Sequence, residues 1–171
     1  MLIARSADPV TVSIQGQYLV RDPKTDKKLA VSKDLIGVRL YIQNDQLKLA
    51  GVSFPDRIEL HSLSSKNIKI NDRFYRGILS VIRNSDNSIS IINTLSVDHY
   101  LYGVLMKEVG EWWPAEALKA QAVAARTYAM YQIKTQVNQS FDVYTNQFSQ
   151  MYGGVNSENP RGNTAVNDTR G

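Results

Sequence analysis

Along this chain the apolar positions change their period once, near Val97. Before it they recur in short alternating or β-branched runs. Thr11 to Ile14, Ile36 to Ile42, Gln46 to Val52, Arg57 to Leu63 and Ile68 to Ile70 each predict a strand. Gly16, Asp22-Pro23, Asn44-Asp45, Phe54-Pro55-Asp56 and Asn71-Asp72 break these runs with turn chemistry. Gly77 to Arg83 and Ser88 to Leu95 flank Asn84-Ser85-Asp86-Asn87. Asn and Asp tolerate turn dihedrals, so this stretch reads as a hairpin.

From Val97 the period becomes helical. Val97, Tyr100, Leu101, Val104 and Leu105 share one face of a helix over Val97 to Met106, with Ser96 as its N-cap and Gly110 as its stop. Pro114 suits the first turn of a second helix, and Glu116 there complements the helix dipole. Ala115 to Ile133 is helical on propensity alone, and Asn138 to Ser140 ends it. Phe141 to Tyr144 reads as a short strand, Gln150 to Gly154 as a loop, and a short helix is expected from about Asn163. The fold class is therefore α+β: a β-rich N-terminal region and a hairpin feeding a two-helix core.

At 171 residues the chain can bury a real core, and its 43% apolar and 21% charged residues are ordinary for a globular protein. No run approaches the ~20 apolar residues of a membrane span. MLIARSADPV lacks the basic start and long apolar run of an export signal. Without cysteine, disulfides, thiolate zinc sites and a cysteine nucleophile are excluded, and His61 and His99 show no metal-ligand spacing. The net charge of +4 is scattered, which points away from nucleic acid and at most to mild attraction for an anionic polymer. No Gly-rich nucleotide loop is present, and neither histidine sits near a nucleophile-elbow serine. No cofactor is expected.

The chemistry concentrates between Glu108 and Tyr128, EVGEWWPAEALKAQAVAARTY. Glu108 reads either as a solvated carboxylate at a helix end or as an acid held near the apolar faces of Trp112 and Trp113. Such surroundings raise a carboxyl pKa toward that of a general acid. Tryptophan planes also suit the flat faces of sugars, although one of the two reads as core. A conventional glycosidase needs two carboxyl groups, and Glu116 reads as a helix stabiliser rather than the second. Trp113, Gln121, Arg126, Tyr128 and Tyr152 are candidate substrate-binding residues. Arg126 reads equally as a structural ion pair or a donor to loop carbonyls. Buried tyrosine is the commoner reading of Tyr128 and Tyr152.

Together these residues resemble a family. TLSVDHYLYGVLMKE, then WP and EALKAQAVAARTYA, is similar to the SpoIID/LytB domain of bacterial sporulation and cell-wall proteins. FYRGILSVIRN fits the domain's entry strand, and QMYGG and AVNDTRG fit its later segments. The resemblance covers roughly residues 71–171 and leaves 1–70 as a β-rich region of its own. Enzymes of this family are lytic transglycosylases acting on peptidoglycan glycan strands, especially strands stripped of stem peptides. Other members modify wall amidases. The family's catalytic glutamate lies five residues before WP, as Glu108 does before Trp113-Pro114. The resemblance thus implies that Glu108 protonates the bond between N-acetylmuramic acid and N-acetylglucosamine. Glu108 would then deprotonate the muramic 6-hydroxyl to give a 1,6-anhydro end, which needs no second carboxylate. It implies glycan strands and a wall amidase as partners, and an extracytoplasmic, cell-envelope location. A non-catalytic wall-binding or amidase-activating module is the alternative, and a generic carbohydrate-binding domain a third reading. Some members carry a cysteine- and histidine-bearing zinc segment before YGG, and VYTNQFSQMYGG holds neither residue type, so no metal is expected. The family domain continues beyond AVNDTRG, so this chain is expected to hold its N-terminal part.

Overall fold

A computed structural model describes residues 1–64, 66–136, 140–145 and 149–170. They are α+β, as the periodicity predicts. Packing divides the chain into two units, Leu2–Thr94 and the residues from Leu95 onward together with Met1. The hairpin expected to open the second region therefore packs with the sheet of the first.

The first unit holds ten strands among the described residues: β1 (Leu2–Ser6), β2 (Val10–Arg21), β3 (Lys28–Gln43), β4 (Gln46–Leu49), β5 (Val52–Phe54), β6 (Arg57–Ser62), β7 (Ile68–Ile70), β8 (Arg73–Tyr75), β9 (Ile78–Arg83) and β10 (Ile89–Thr94). They form one antiparallel sheet in the order β1-β10-β9-β6-β2-β3-β4-β5, with β7 beside β2 and β8 beside β7. Alternating residues supply its core: Val12, Ile14, Leu40, Leu47, Ile58, Leu60, Leu79 and Ile91 are fully buried.

Gly16, expected as a breaker, lies inside β2 as a bulge. Its φ of +81° suits glycine, and a Cβ there would stand 2.4 Å from Ser64 Oγ. The bulge lets one strand serve two partners: Val12–Ile14 pair with β7, and Tyr18–Arg21 pair with β6. Gln46 to Val52, read as one strand, is instead two, because Ala50 and Gly51 (φ +52° and +77°) turn the chain between β4 and β5. The Asn44-Asp45 turn and the 84–87 hairpin loop form as expected, and Asn84 N–H donates to Ser88 C=O at 2.8 Å.

The second unit is helical: α1 (Val97–Glu108), α2 (Ala115–Thr135) and α3 (Pro160–Asp168), with a 3-10 turn at Gly154–Ser157. Ser96 caps α1 by accepting from His99 N–H at 3.3 Å, and Pro114 stands immediately before α2. α3 begins three residues earlier than expected because Asn159 caps it and Pro160 fits its first position. Phe141 to Tyr144 is not a strand: Tyr144 makes only an isolated bridge. The helix stop at Asn138 lies outside the described residues. Among the described residues no helix is long and apolar enough to cross a membrane.

Candidate functional site around Glu108

The site is built along one face of α1. Tyr100, Gly103 and Lys107 recur at helical spacing, and the segment Gln150–Gly154 lies against that stripe. Tyr100 OH donates to Gln150 Oε1 at 3.1 Å, and its ring stacks on Tyr152 with centroids 5.6 Å apart. One turn on, Gly103 C=O accepts from Gly153 N–H and from Ser157 Oγ, each at 3.1 Å. A Cβ on Gly103 would stand 2.4 Å from the Tyr152 ring, so glycine permits this approach. At the helix end, Met151 N–H donates to Glu108 Oε1 at 2.9 Å.

Glu108 is therefore the exposed last residue of α1, held through one oxygen by a backbone donor. Among the described residues no cation pairs with it. The expected apolar enclosure is not there: Glu108 is exposed, and Trp112 is 81% exposed. Beneath it, burial pushes the Tyr100 phenol well above its usual range, and the neighbouring Tyr128, Glu108 and Tyr152 reinforce that shift. Tyr100 is thus a neutral donor at any ordinary pH.

After Glu108 the chain turns sharply. Trp113 N–H donates to Gly110 C=O at 3.1 Å, and a Cβ on Gly110 would stand 2.4 Å from Trp112 Nε1. The turn is pinned from α3: the Arg161 guanidinium donates to Trp113 C=O at 2.9 Å and also to Glu111 C=O.

Residues 85–171, just over half of the chain, match the stage II sporulation protein (SpoIID) family. The chain belongs to the SpoIID family. It is also similar to an uncharacterised protein of Brachyspira hyodysenteriae, 34% identical over 170 residues. That alignment takes in 95% of this chain and 44% of the relative, so the chain spans less than half of that relative's length. No solved structure matches the chain. Family membership points to a cell-wall-related role.

Within this SpoIID-family chain the candidate residues separate. Leu118, Ala122, Ala125 and Ala129 form the buried stripe of α2. At about 100° per residue, Gln121 and Tyr128 fall on one flank of that stripe, and Lys119 and Arg126 on the other. Tyr128 and Glu108 are both near enough to Tyr100 to act on its phenol electrostatically, and Tyr152 is buried against the Tyr100 ring, as a core tyrosine would be. Gln121 shares the Tyr128 flank and is half-buried. Arg126 is occupied elsewhere: it donates to Asp98 Oδ1 at 3.2 Å, Val166 C=O at 3.0 Å and Thr169 C=O at 2.9 Å. The carbonyl-donor and ion-pair reading of Arg126 is the one its contacts support. Trp113 is half-buried, and its neighbour Trp112 carries the exposed indole.

Sequence reasoning missed Tyr100, Gln150, Gly103 and Arg161. A signal existed for Gly103, since glycine inside a helix costs about 1 kcal/mol against alanine and asks for a packing reason. None existed for Arg161, because its partners lie about fifty residues upstream. The segment Val143–Gly154 includes residues 146–148, which lie outside the described residues.

Proposed function

We propose that this chain carries the acid–base glutamate of a peptidoglycan lytic transglycosylase, and that Glu108 is that residue. One observation carries the reading: an exposed carboxylate, with no cationic partner among the described residues, is fixed at a helix end by the Met151 N–H. With Oε1 engaged, Oε2 is the oxygen that carries the working proton. Protonated Glu108 donates to the glycosidic oxygen linking N-acetylmuramic acid to N-acetylglucosamine, and the bond from that oxygen to muramic C1 breaks. The resulting carboxylate takes the proton of the muramic 6-hydroxyl, whose oxygen closes on C1. The proton count balances on Glu108, and no water is consumed. Tyr128 is the half-buried tyrosine available to substrate, buried Tyr152 supports the site by stacking on Tyr100, and the substrate strand lies in the extracytoplasmic wall. The acid–base residue lies in the helical unit that begins at Leu95.

The Met151 contact also favours a second reading, in which Glu108 merely staples the Gln150–Gly154 segment and the chain binds the wall or activates an amidase. Glu108→Gln separates the two, because glutamine keeps the accepting Oε1 and loses the acid. Mass spectrometry of glycan strands, with and without stem peptides, is expected to find 1,6-anhydro ends with wild type and none with Glu108→Gln. Equal product from both proteins would sink the catalytic assignment. Activity that appears only with a partner amidase, and is indifferent to Glu108→Gln, would establish the second reading.

A further inference from the structure

An acid such as Glu108 acts on whichever linkage of the strand is set against it. Every linkage of an alternating glycan strand joins two similar N-acetylhexosamine rings. The muramic ring differs from its neighbour only in its lactyl ether, a branch that ends in a methyl group and a carboxyl group. A protein that leaves anhydro ends on muramic rings must therefore read that branch near its acid.

A cavity of about 300 Å³ lies between the first turns of α2 and α3, next to the tryptophan turn. Leu118, Pro160 and Ala165 give it an apolar floor, and its charged lining is Lys119, Arg161 and Asp168, two cations against one carboxylate. Lys119 is engaged by Asp168 at 3.4 Å and by Glu116 at 3.1 Å. Arg161 is not compensated. Its exposed guanidinium donates to the carbonyls of Glu111 and Trp113, and among the described residues no carboxylate pairs with it. The fork has further N–H donors to offer, in the planar geometry that a carboxylate accepts. The two carbonyls already hold it in place, so little freedom is lost when an anion docks. Both carbonyls belong to the turn that leaves Glu108, which brings this charge close to the acid along the chain.

We infer that Arg161 and this cavity form the subsite for the lactyl branch of a muramic ring. The lactyl carboxylate pairs with the guanidinium, and the methyl group points toward the apolar floor. Arg161 thereby chooses which linkage of the strand faces Glu108, as a specificity-determining residue rather than a catalytic one. The inference rests on the glycan-strand reading above and adds how the strand's register is set.

The test is calorimetric titration of the Glu108→Gln protein with three tetrasaccharides. They are an alternating muramic strand with free lactyl carboxylates, the same strand with those groups converted to methyl amides, and the tetramer of N-acetylglucosamine. The free acid is expected to bind at least about tenfold more tightly than either neutral ligand. That preference should shrink as salt rises from about 0.05 to 0.5 M. Arg161→Met should cut it to less than about twofold and leave the affinity for the N-acetylglucosamine tetramer unchanged. Arg161→Lys, which keeps the charge, should retain part of it. Thr164→Glu, at an exposed position on the cavity wall one turn along α3, should abolish it by neutralising Arg161. Equal affinity for free acid and methyl amide overturns the subsite, as does a preference that survives both Arg161→Met and Thr164→Glu. A preference lost instead in Lys107→Met, at the exposed cation beside Glu108, moves the carboxylate to Lys107 and overturns it too. The catalytic reading fails separately, on anhydro products that persist in Glu108→Gln, because binding in the glutamine background involves no turnover.

Discussion

The two ends of α1 each carry a carboxylate, and they are treated in opposite ways. Asp98, in the first turn, is part-buried and takes Arg126 Nη2 on one oxygen at 3.2 Å and Arg170 Nε on the other at 2.9 Å. Arg170 also donates to Tyr102 OH at 3.0 Å, and Tyr102 OH donates to Asn167 Oδ1 at 2.5 Å. This network ties the start of α1 to the end of α3, and the N-terminal dipole favours the charge on Asp98. Glu108, in the last turn, stands where the dipole disfavours a negative charge. It has one backbone donor and, among the described residues, no cation. A compensated acid at a favourable helix end is what stability selects. An uncompensated acid at an unfavourable one is held for another reason, and chemistry is the reason proposed here.

The sharpest way to break this contrast is to remove each acid in turn. Glu108→Gln should reduce formation of anhydro ends by at least about a thousandfold, within the range expected for a lost general acid. Its Tm should be unchanged or slightly raised, since the hydrogen bond survives and the disfavoured charge is gone. Asp98→Ala should do the reverse. Stranding two arginines should cost about 2–3 kcal/mol in denaturant unfolding, a value discounted for the partial exposure of Asp98. Specific activity of the folded fraction should stay near wild type. If both substitutions act mainly on stability, the contrast is lost.

Gly103→Ala probes how the Glu108 end is assembled. The new Cβ would meet the Tyr152 ring, so the Gln150–Gly154 segment must shift, at about 1–3 kcal/mol. Hydrogen exchange at Met151 and Gly153 amides should rise with it. Unchanged protection at both amides would mean that Gly103 is not what seats the segment.

The smallest effect is expected from pH. The Tyr100 phenol is held above its usual range by burial and then by Tyr128, Glu108 and Tyr152. A raised folded pKa means that its contribution is complete below the unfolded value of about 10. That contribution is lost as pH rises through the folded pKa. Stability should therefore fall with pH above about 10, and Tyr100→Phe should flatten that slope. A slope identical in both proteins would remove Tyr100 from the account.

Much of the fold was legible because its signals are local. Alternation marked the buried strands, Asn44-Asp45 and Asn84 to Asn87 marked their turns, and Ser96 and Pro114 marked the starts of two helices. What local pattern misjudged were residues whose role depends on a distant partner. Gly16 reads as a break until Ser64 and the two partner strands are in place. Val52 and Gln46 read as one strand until Ala50-Gly51 turns the chain. Of the candidate site, Glu108 was singled out by its spacing to Trp113-Pro114, and Tyr152, for which burial was the commoner reading, is indeed buried. Arg126 and Gln121 were placed on the same list, but the helix puts them on opposite flanks.

The sequence by itself determined the change from two-residue to helical period near Val97, the starts of α1 and α2, the family, and the one acid worth testing. Each of these is carried by neighbours in the chain or by a motif of fixed spacing. Only the tertiary structure decided which polar residues are occupied. It engaged Arg126 with α3, bent Arg161 onto the tryptophan turn, laid the Gln150–Gly154 segment along Gly103, and left the Trp112 indole in solvent. Hydrogen-bond partners and solvent exposure depend on what other segments approach, and no stretch of sequence states that alone.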